Sequence, residues 1–347
     1  MDTRSSRKKR QTNTPKKKRR RIFMMFLVTF SMLFLVSAGY AMIQYESGRS
    51  NTEVKLSNNE TKPTNTETSF KAKAPENNEP INVLLIGVDT DEGEAARTDT
   101  IMIAQYDAQN GDAKIASIMR DSYVEIPGYS NNKINASFFF GGPELLRQTI
   151  EKNFEMDIHY YAMVNFEGFV EVVDTVAPNG IEIDIKNRMY YRDGSGRTNI
   201  DLQPGLQTLD GEEALGYVRF RNDSHNDFGR VGRQQEVLNI LKDELLTLSG
   251  VTRVPKLIGA VEPFIDTNLN TTRMLSIGRD FLLNPVDDIQ TLRIPVENGY
   301  SDKSYSHAGA VLELDFEKNR DALQLFFSTK SGALASENKD NEDDKES

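Results

Sequence analysis

Between Gly216 and Gln235 the chain runs GYVRFRNDSHNDFGRVGRQQ, with four arginines (Arg219, Arg221, Arg230, Arg233) and no lysine. A guanidinium is a planar fork that grips phosphate oxygens in pairs, which an ammonium cannot do. Position carries more than number. The helix predicted over Phe228–Leu248, projected at 3.6 residues per turn, puts Arg230, Arg233 and Gln234 on one stripe with Val237, Ile240, Leu241 and Leu245. The arginines therefore continue a buried face, at the helix end whose dipole disfavours cations. Buried cations there need an anionic partner. One source is internal, with Asp227 as the expected N-cap and Asp223 beside it. Two acids against four arginines favour a bound anion instead. Internal pairing predicts that Arg230→Ala costs about 3–5 kcal/mol; an anion site predicts an unchanged or raised melting temperature.

A second group lies upstream. Asp89 follows the strand predicted at Ile81–Ile86, and Asp99 stands in Arg97-Thr98-Asp99-Thr100 ahead of another. Carboxylates at strand ends face the edge where α/β sheets bind ligands. Two of them, with water and phosphate oxygens, make a typical Mg²⁺ environment. Taken alone, either aspartate is more simply a turn cap. Arg120-Asp121 closes the strand predicted at Lys114–Met119 and brings a fifth arginine to a strand end. Other chemistries find no support. There is no G-x-S-x-G elbow and no phosphate-binding G-x-x-x-x-G-K-[ST] loop. His159, His225 and His307 are scattered without metal-ligand spacing, and zero cysteines excludes disulfides, thiolate metal sites and a cysteine nucleophile.

The elements that must position these groups alternate. Strands are expected at Ile81–Ile86, Thr100–Tyr106, Lys114–Met119, Tyr160–Val164, Ile181–Ile185 and Ile289–Ile294, with a turn at Pro127-Gly128. Helices are expected from Pro143, a favoured first helical residue, to Glu151, and at Glu167–Val176, Asp210–Tyr217, Phe228–Leu248, Arg253–Phe264, Thr272–Leu283 and Phe316–Phe327. The pattern implies an α/β fold: a single three-layer α-β-α sandwich domain with a central mixed sheet.

The net charge of -10 conceals a split: residues 1–21 hold eleven Lys/Arg and one acid, while the rest holds 31 bases and 51 acids. Next to that basic run, Ile22–Ile43 is 22 residues without a charge, about 33 Å as a helix and so about one hydrocarbon core. The expectation is a basic cytoplasmic segment (1–21), an uncleaved transmembrane signal anchor (22–43), a polar flexible stalk (44–79), an extracytoplasmic domain (80–329) and an acidic disordered tail (330–347). An acidic domain outside the membrane also speaks against direct nucleic-acid binding.

NVLLIGVD (Asn82–Asp89), RTDTIMI (Arg97–Ile103), SIMRDSYVEIPG (Ser117–Gly128), KINASFFFGGP (Lys133–Pro143), VNFEGFVEVVD (Val164–Asp174), LDGEEALGYVRFR (Leu209–Arg221) and DFGRVGRQQ (Asp227–Gln235) resemble, in order, the segments of the LytR-CpsA-Psr family of Gram-positive envelope proteins. Departures are Met119 and Ser122, where the family usually has Pro and Thr, and Ala177-Pro178-Asn179-Gly180 in place of a Gly-Gly turn. The resemblance implies transfer of a glycopolymer, such as wall teichoic acid or capsule, from an undecaprenyl (polyisoprenyl) pyrophosphate carrier to the C6 hydroxyl of peptidoglycan N-acetylmuramic acid. It implies Mg²⁺, or Mn²⁺ in its place, on Asp89 and Asp99. It places the pyrophosphate on Arg120, on Arg219 or Arg221, and on Arg230, with Arg97, Arg233 and Gln234 as further ligands. Asp227 would position or deprotonate the attacking hydroxyl. Phe138, Phe139, Phe140, Phe166 and Phe169 are candidates to line a lipid tunnel, though each is more simply core. Two other classes remain: an envelope-linked regulatory protein acting indirectly, and a non-catalytic polyisoprenyl-phosphate binding module.

Overall fold

The computed structural model describes residues 40–50, 70–75, 79–89, 97–192, 199–221, 226–247 and 253–328; the side chains of Asp89, Arg97 and Asp227 fall outside the described set. Residues 40–50 are helical (α1). The order continues β1 (Ile81–Asp89), β2 (Arg97–Asp107), β3 (Asp112–Ile118), β4 (Ser122–Val124), β5 (Asn132–Lys133), α2 (Ile134–Phe154), β6 (Tyr160–Val164), α3 (Phe166–Val176), β7 (Ile181–Ile185), β8 (Met189–Arg192), β9 (Asn199–Leu202) and β10 (Gly205–Leu209). After these come α4 (Gly211–Arg219), α5 (Asn226–Leu246), α6 (Val254–Val261), a 3₁₀ turn at Glu262–Phe264, β11 (Ile265–Thr267), α7 (Thr271–Leu283), β12 (Ile289–Ile294), β13 (Tyr300–Tyr305), β14 (Gly309–Leu314) and α8 (Phe316–Ser328).

The central sheet has six strands in the order β11-β6-β1-β2-β3-β12. It is mixed: β1 pairs parallel with β6 and β3 with β12, while β1–β2, β2–β3 and β6–β11 are antiparallel. Alternation along each strand sends one set of side chains to each face. Leu84, Ile86, Ile101, Ile103 and Ile118 pack against Leu146, Ile150 and Phe154 of α2 and Leu323 and Phe326 of α8. On the opposite face lies α5, where Gln234 donates to Thr100 Oγ1 at 2.9 Å and Gln235 to Ser117 Oγ at 3.1 Å. Helices on both faces of a mixed sheet agree with the expected architecture.

The core is divided. A second apolar cluster joins Ile181, Ile183 and Ile185 of β7, Ile200 and Leu202 of β9, and Leu209 of β10 to α3, α4 and α5. Asp210 caps α4 in a capping box with Glu213, its carboxylate accepting the Glu213 N–H at 2.9 Å. The turn into β7 places Gly180 at φ 83°, where an added Cβ would lie 2.8 Å from the Leu209 carbonyl oxygen. The turn is thus confined to glycine although Gly-Gly is absent.

Other expectations need correction. The helix read as starting at Pro143 begins at Ile134 and is interrupted by non-helical Gly141 and Gly142 (φ 61°), after which Pro143 opens the second segment. An apolar FFF run has no helical period of its own, which is why its helix was missed. Asp227 was expected to cap α5 but lies one residue inside it, the helix starting at Asn226. Within residues 44–79, read as stalk, residues 44–50 belong to α1, whose Tyr45 hydroxyl bonds to Glu262. Residues 70–75 of that stretch also lie against the body: the Lys71 N–H donates to Glu144 at 3.0 Å, and the Phe70 ring centre is 4.7 Å from that of Tyr161. Polarity alone did not reveal the few contacts that order these pieces. Residues 1–39 and 329–347 lie outside the described residues, and with them most of the anchor and the tail; among the described residues no helix is long and apolar enough to cross a membrane.

Candidate active site

The site begins with a defect in the sheet. β1 and β2 are in register through Gly87↔Thr100 and again from Val88↔Thr98, so Asp99 is the extra residue of a β-bulge. A bulge bends its strand and re-aims a side chain. Thr98 is fully buried and its hydroxyl sits 3.1 Å from the Gly87 carbonyl and 3.0 Å from that of Thr100, tying the bulge across both strands. Gly87 is required opposite: a Cβ there would lie 2.9 Å from the Thr100 Cβ.

The carboxylate re-aimed in this way gathers three arginines. Arg120, directly after β3, pairs with Asp99 Oδ1, and Arg221, just past α4, reaches Oδ2 at 2.6 Å. Arg230 donates from Nη2 to the Asp99 carbonyl at 3.2 Å, with Nη1 4.0 Å from Oδ1. Only 3% of Arg230 is exposed, which answers what holds a buried cation near a helix start. Asp99 is an internal partner. Burial would raise the Asp99 pKa, but Arg221, Arg120 and Arg230 outweigh it and hold the carboxyl below its usual value, so it is ionised at neutral pH. Asp121 extends the array, 3.5 Å from Arg120 Nε and 2.7 Å from Lys133 Nζ. Asp99, Ser117, Met119, Arg120, Arg230 and Gln234 line a narrow cleft between β2, β3 and α5.

The remaining sequence-predicted ligands divide. Gln234 is in the cleft, on Thr100. Arg233 is not at the Asp99 cluster. It bonds to the carbonyls of Tyr217 and Phe220, which end α4, and its guanidinium carbon is 5.9 and 5.7 Å from their ring centres. A cation on the last carbonyls of a helix is stabilising, so Arg233 joins α5 to α4. A helical stripe shows which residues are buried, not what they meet. Arg219 stacks over the Phe166 ring at 4.0 Å, leaving Arg221 as the member of that pair on Asp99.

Asp89 and Arg97 are paired in register at the connected end of the β1–β2 hairpin, next to the bulge. Among the described residues no three His, Cys, Asp or Glu side chains form a metal cage. The donors nevertheless suit a hard cation: an ionised Asp99, with Asp89 at the same strand ends. The five phenylalanines do not share one tunnel wall, since Phe138 is in the first core, Phe169 packs on the second, and Phe139 and Phe140 are exposed. His159 is structural, its Nδ1 accepting the Asn82 N–H at 3.0 Å. Sequence reasoning passed over Thr98, Thr100, Ser117 and Lys133; the spacing of Thr98 and Thr100 around Asp99 was the available signal for the first two.

Known proteins resemble most of this chain. The LytR_cpsA_psr family model matches residues 40–323. Regulatory protein MsrR of Staphylococcus aureus is 38% identical over 246 residues, 71% of this chain and 74% of that protein. The polyisoprenyl-teichoic acid–peptidoglycan teichoic acid transferase TagU of Enterococcus faecalis is 35% identical over 210 residues, 59% of this chain and 67% of that one. A solved structure of TagT bound to LIIa-WTA is 26% identical with a TM-score of 0.59, covering 78% of this chain and 99% of that one.

Proposed function

The chain belongs to the LytR-CpsA-Psr family, and from that premise we propose that it is a phosphotransferase moving an anionic glycopolymer, of wall teichoic acid or capsule type, from polyisoprenyl (undecaprenyl) pyrophosphate to the C6 hydroxyl of peptidoglycan N-acetylmuramic acid. The observation that carries this reading is the convergence of Arg120, Arg221 and Arg230 on Asp99 at the cleft. The names of TagU and of TagT bound to LIIa-WTA support the substrate class.

Phosphoryl transfer depends on positioning and on neutralising charge spread over phosphate oxygens. In this reading Arg120, Arg221 and Arg230 hold the pyrophosphate, and Gln234, anchored on Thr100, bounds the cleft. The acceptor hydroxyl oxygen attacks the phosphorus that bears the glycopolymer. The bridging P–O bond breaks, polyisoprenyl monophosphate leaves, and the hydroxyl proton passes to Asp227, in the first turn of α5. Mg²⁺, with Mn²⁺ as its substitute, would be held by Asp89 and Asp99 and would neutralise further phosphate charge. The chain would be anchored by residues 22–43, with the basic end cytoplasmic and the catalytic body outside.

A regulatory role, the sense in which MsrR is named, would follow indirectly from altered envelope synthesis. Titrating a short-chain polyisoprenyl-pyrophosphate disaccharide into the full chain separates a ligand site from an internal salt bridge. Binding should occur, weaken under chelation and recover as Mg²⁺ is restored, with the metal response blunted in Asp99→Asn. Absence of binding sinks the donor assignment, and binding indifferent to chelation removes the metal.

A further inference from the structure

The strand that follows Arg120 belongs to a second sheet, ordered β13-β14-β4-β5. Its inward side chains, among them Ser122, Val124, Leu312 and Leu314, are buried. The outward positions are set by register: Tyr123 opposite Lys133 and Glu313, and Glu313 opposite Ser301. On this side Tyr123 and Tyr305, from strands separated by β14, stack with ring centres 4.6 Å apart and planes 20° from parallel. Exposed His307 completes the group, its ring 5.7 Å from Tyr305 and its Nε2 3.2 Å from the Tyr123 hydroxyl and 3.1 Å from the Asn131 carbonyl. The Tyr305 hydroxyl donates to Glu313 at 2.8 Å. Both phenols are thus fixed, and the rings are held outside either apolar core.

We propose that this outward face seats the acceptor glycan, an N-acetylated amino-sugar polymer, with the Tyr123–Tyr305–His307 group stacking on a sugar ring beside the arginine cleft. The chemistry is that of an amphipathic ring system. A pyranose presents an apolar C–H face that fits the electron-rich face of an aromatic ring, while fixed polar groups at the ring edges meet its hydroxyl and amide groups. Charge favours the acceptor over the donor polymer. Glu313 sits under the stack with Lys303 3.7 Å away, and Asp121 is bonded to Lys133; an anionic, phosphate-bearing polymer gains nothing from a carboxylate there, whereas a neutral sugar can donate to it. Continuity with the cleft gives the direction. Tyr123 is three residues past Arg120, across a turn closed by the Ser122 N–H on the Met119 carbonyl at 3.0 Å, so the two backbones lie within about 10 Å, the reach of three residues and of the order of two sugar rings. A glycan on the stack would therefore bring a neighbouring ring to the arginines.

This inference rests on the transferase reading above, and its test keeps the two apart. The probe is a peptide-bearing tetrasaccharide of alternating N-acetylglucosamine and N-acetylmuramic acid, titrated into the full chain, with acceptor and donor KM measured in parallel. The Tyr123→Ala/Tyr305→Ala variant should bind the tetrasaccharide about tenfold or more weakly and raise acceptor KM to match, with donor affinity unchanged. Tyr305→Phe, which keeps the ring and loses the bond to Glu313, should stay within about twofold of the wild type. If the double variant does not fold, His307→Ala, at an exposed position, should still weaken acceptor binding. Unchanged acceptor affinity in a folded double variant, or loss of donor affinity instead, overturns the proposal. Tetrasaccharide binding by a chain that transfers nothing refutes the transferase reading and leaves the platform standing; transfer with acceptor KM unmoved by the variants refutes the platform alone.

Discussion

Arg120→Ala is expected to all but abolish glycopolymer transfer while the chain still folds. Arg120 lies directly after β3 and meets Asp99 Oδ1, but Arg221 remains 2.6 Å from Oδ2 and Arg230 remains on the Asp99 carbonyl. The carboxylate is therefore not left uncompensated, and the fold loses little. The transition state loses a donor aimed at developing charge, which costs about 10²–10³-fold in kcat. Arg120→Lys should recover only a small part, because a point charge cannot reproduce a planar fork. Initial rates at saturating donor, with thermal melting as the fold control, check this. A folded variant retaining most of its rate would remove Arg120 from the reaction.

Arg230→Ala is expected to lower the apo melting temperature by a few degrees and to eliminate the stabilisation conferred by a polyisoprenyl pyrophosphate. The structure changes the expectation drawn from sequence, in which an anion site predicted no fall. Arg230 is 3% exposed and donates to the Asp99 carbonyl; a lost hydrogen bond to a charged group costs about 1.5–3 kcal/mol. Apo stability alone no longer separates internal pairing from anion binding, since the same arginine does the first and is available for the second when Asp99 yields to a phosphate. The ligand-induced shift does separate them. Melting scans of wild type and variant, with and without the lipid pyrophosphate, should show the shift only in the wild type. An equal shift in both would confine Arg230 to a structural role.

The parts of this site that sequence disclosed are those that local order dictates. Strand ends place Arg120 and Asp99, and the 3.6-residue period shows that Arg230, Arg233 and Gln234 are buried. Which group each buried residue meets is a tertiary matter. Asp99 gathers Arg120, Arg221 and Arg230 only because β1, β2 and β3 are neighbours and α5 crosses the face of that sheet bearing Thr100 and Ser117. Arg233, one turn from Arg230 and on the same stripe, turns instead to the end of α4. The polar strand β13, with only its two end residues partly buried, carried no apolar alternation and is also what carries Tyr305 to Tyr123. A pattern that records burial cannot show an aromatic pair assembled on an exposed face.

The arginine–aspartate cleft is proposed to transfer a phosphorylated glycopolymer from a lipid pyrophosphate to peptidoglycan. The most direct measurement is mass spectrometry of a reconstituted reaction containing the full chain, a defined polyisoprenyl-pyrophosphate oligosaccharide, Mg²⁺ and a peptidoglycan oligomer. Equal amounts of polyisoprenyl monophosphate and of an oligomer joined through a phosphodiester at the muramic acid C6 oxygen are expected, both lost in Arg120→Ala. Release of polyisoprenyl pyrophosphate with a glycosidic product would contradict this transfer, as would an intact donor bound stably beside an unmodified acceptor.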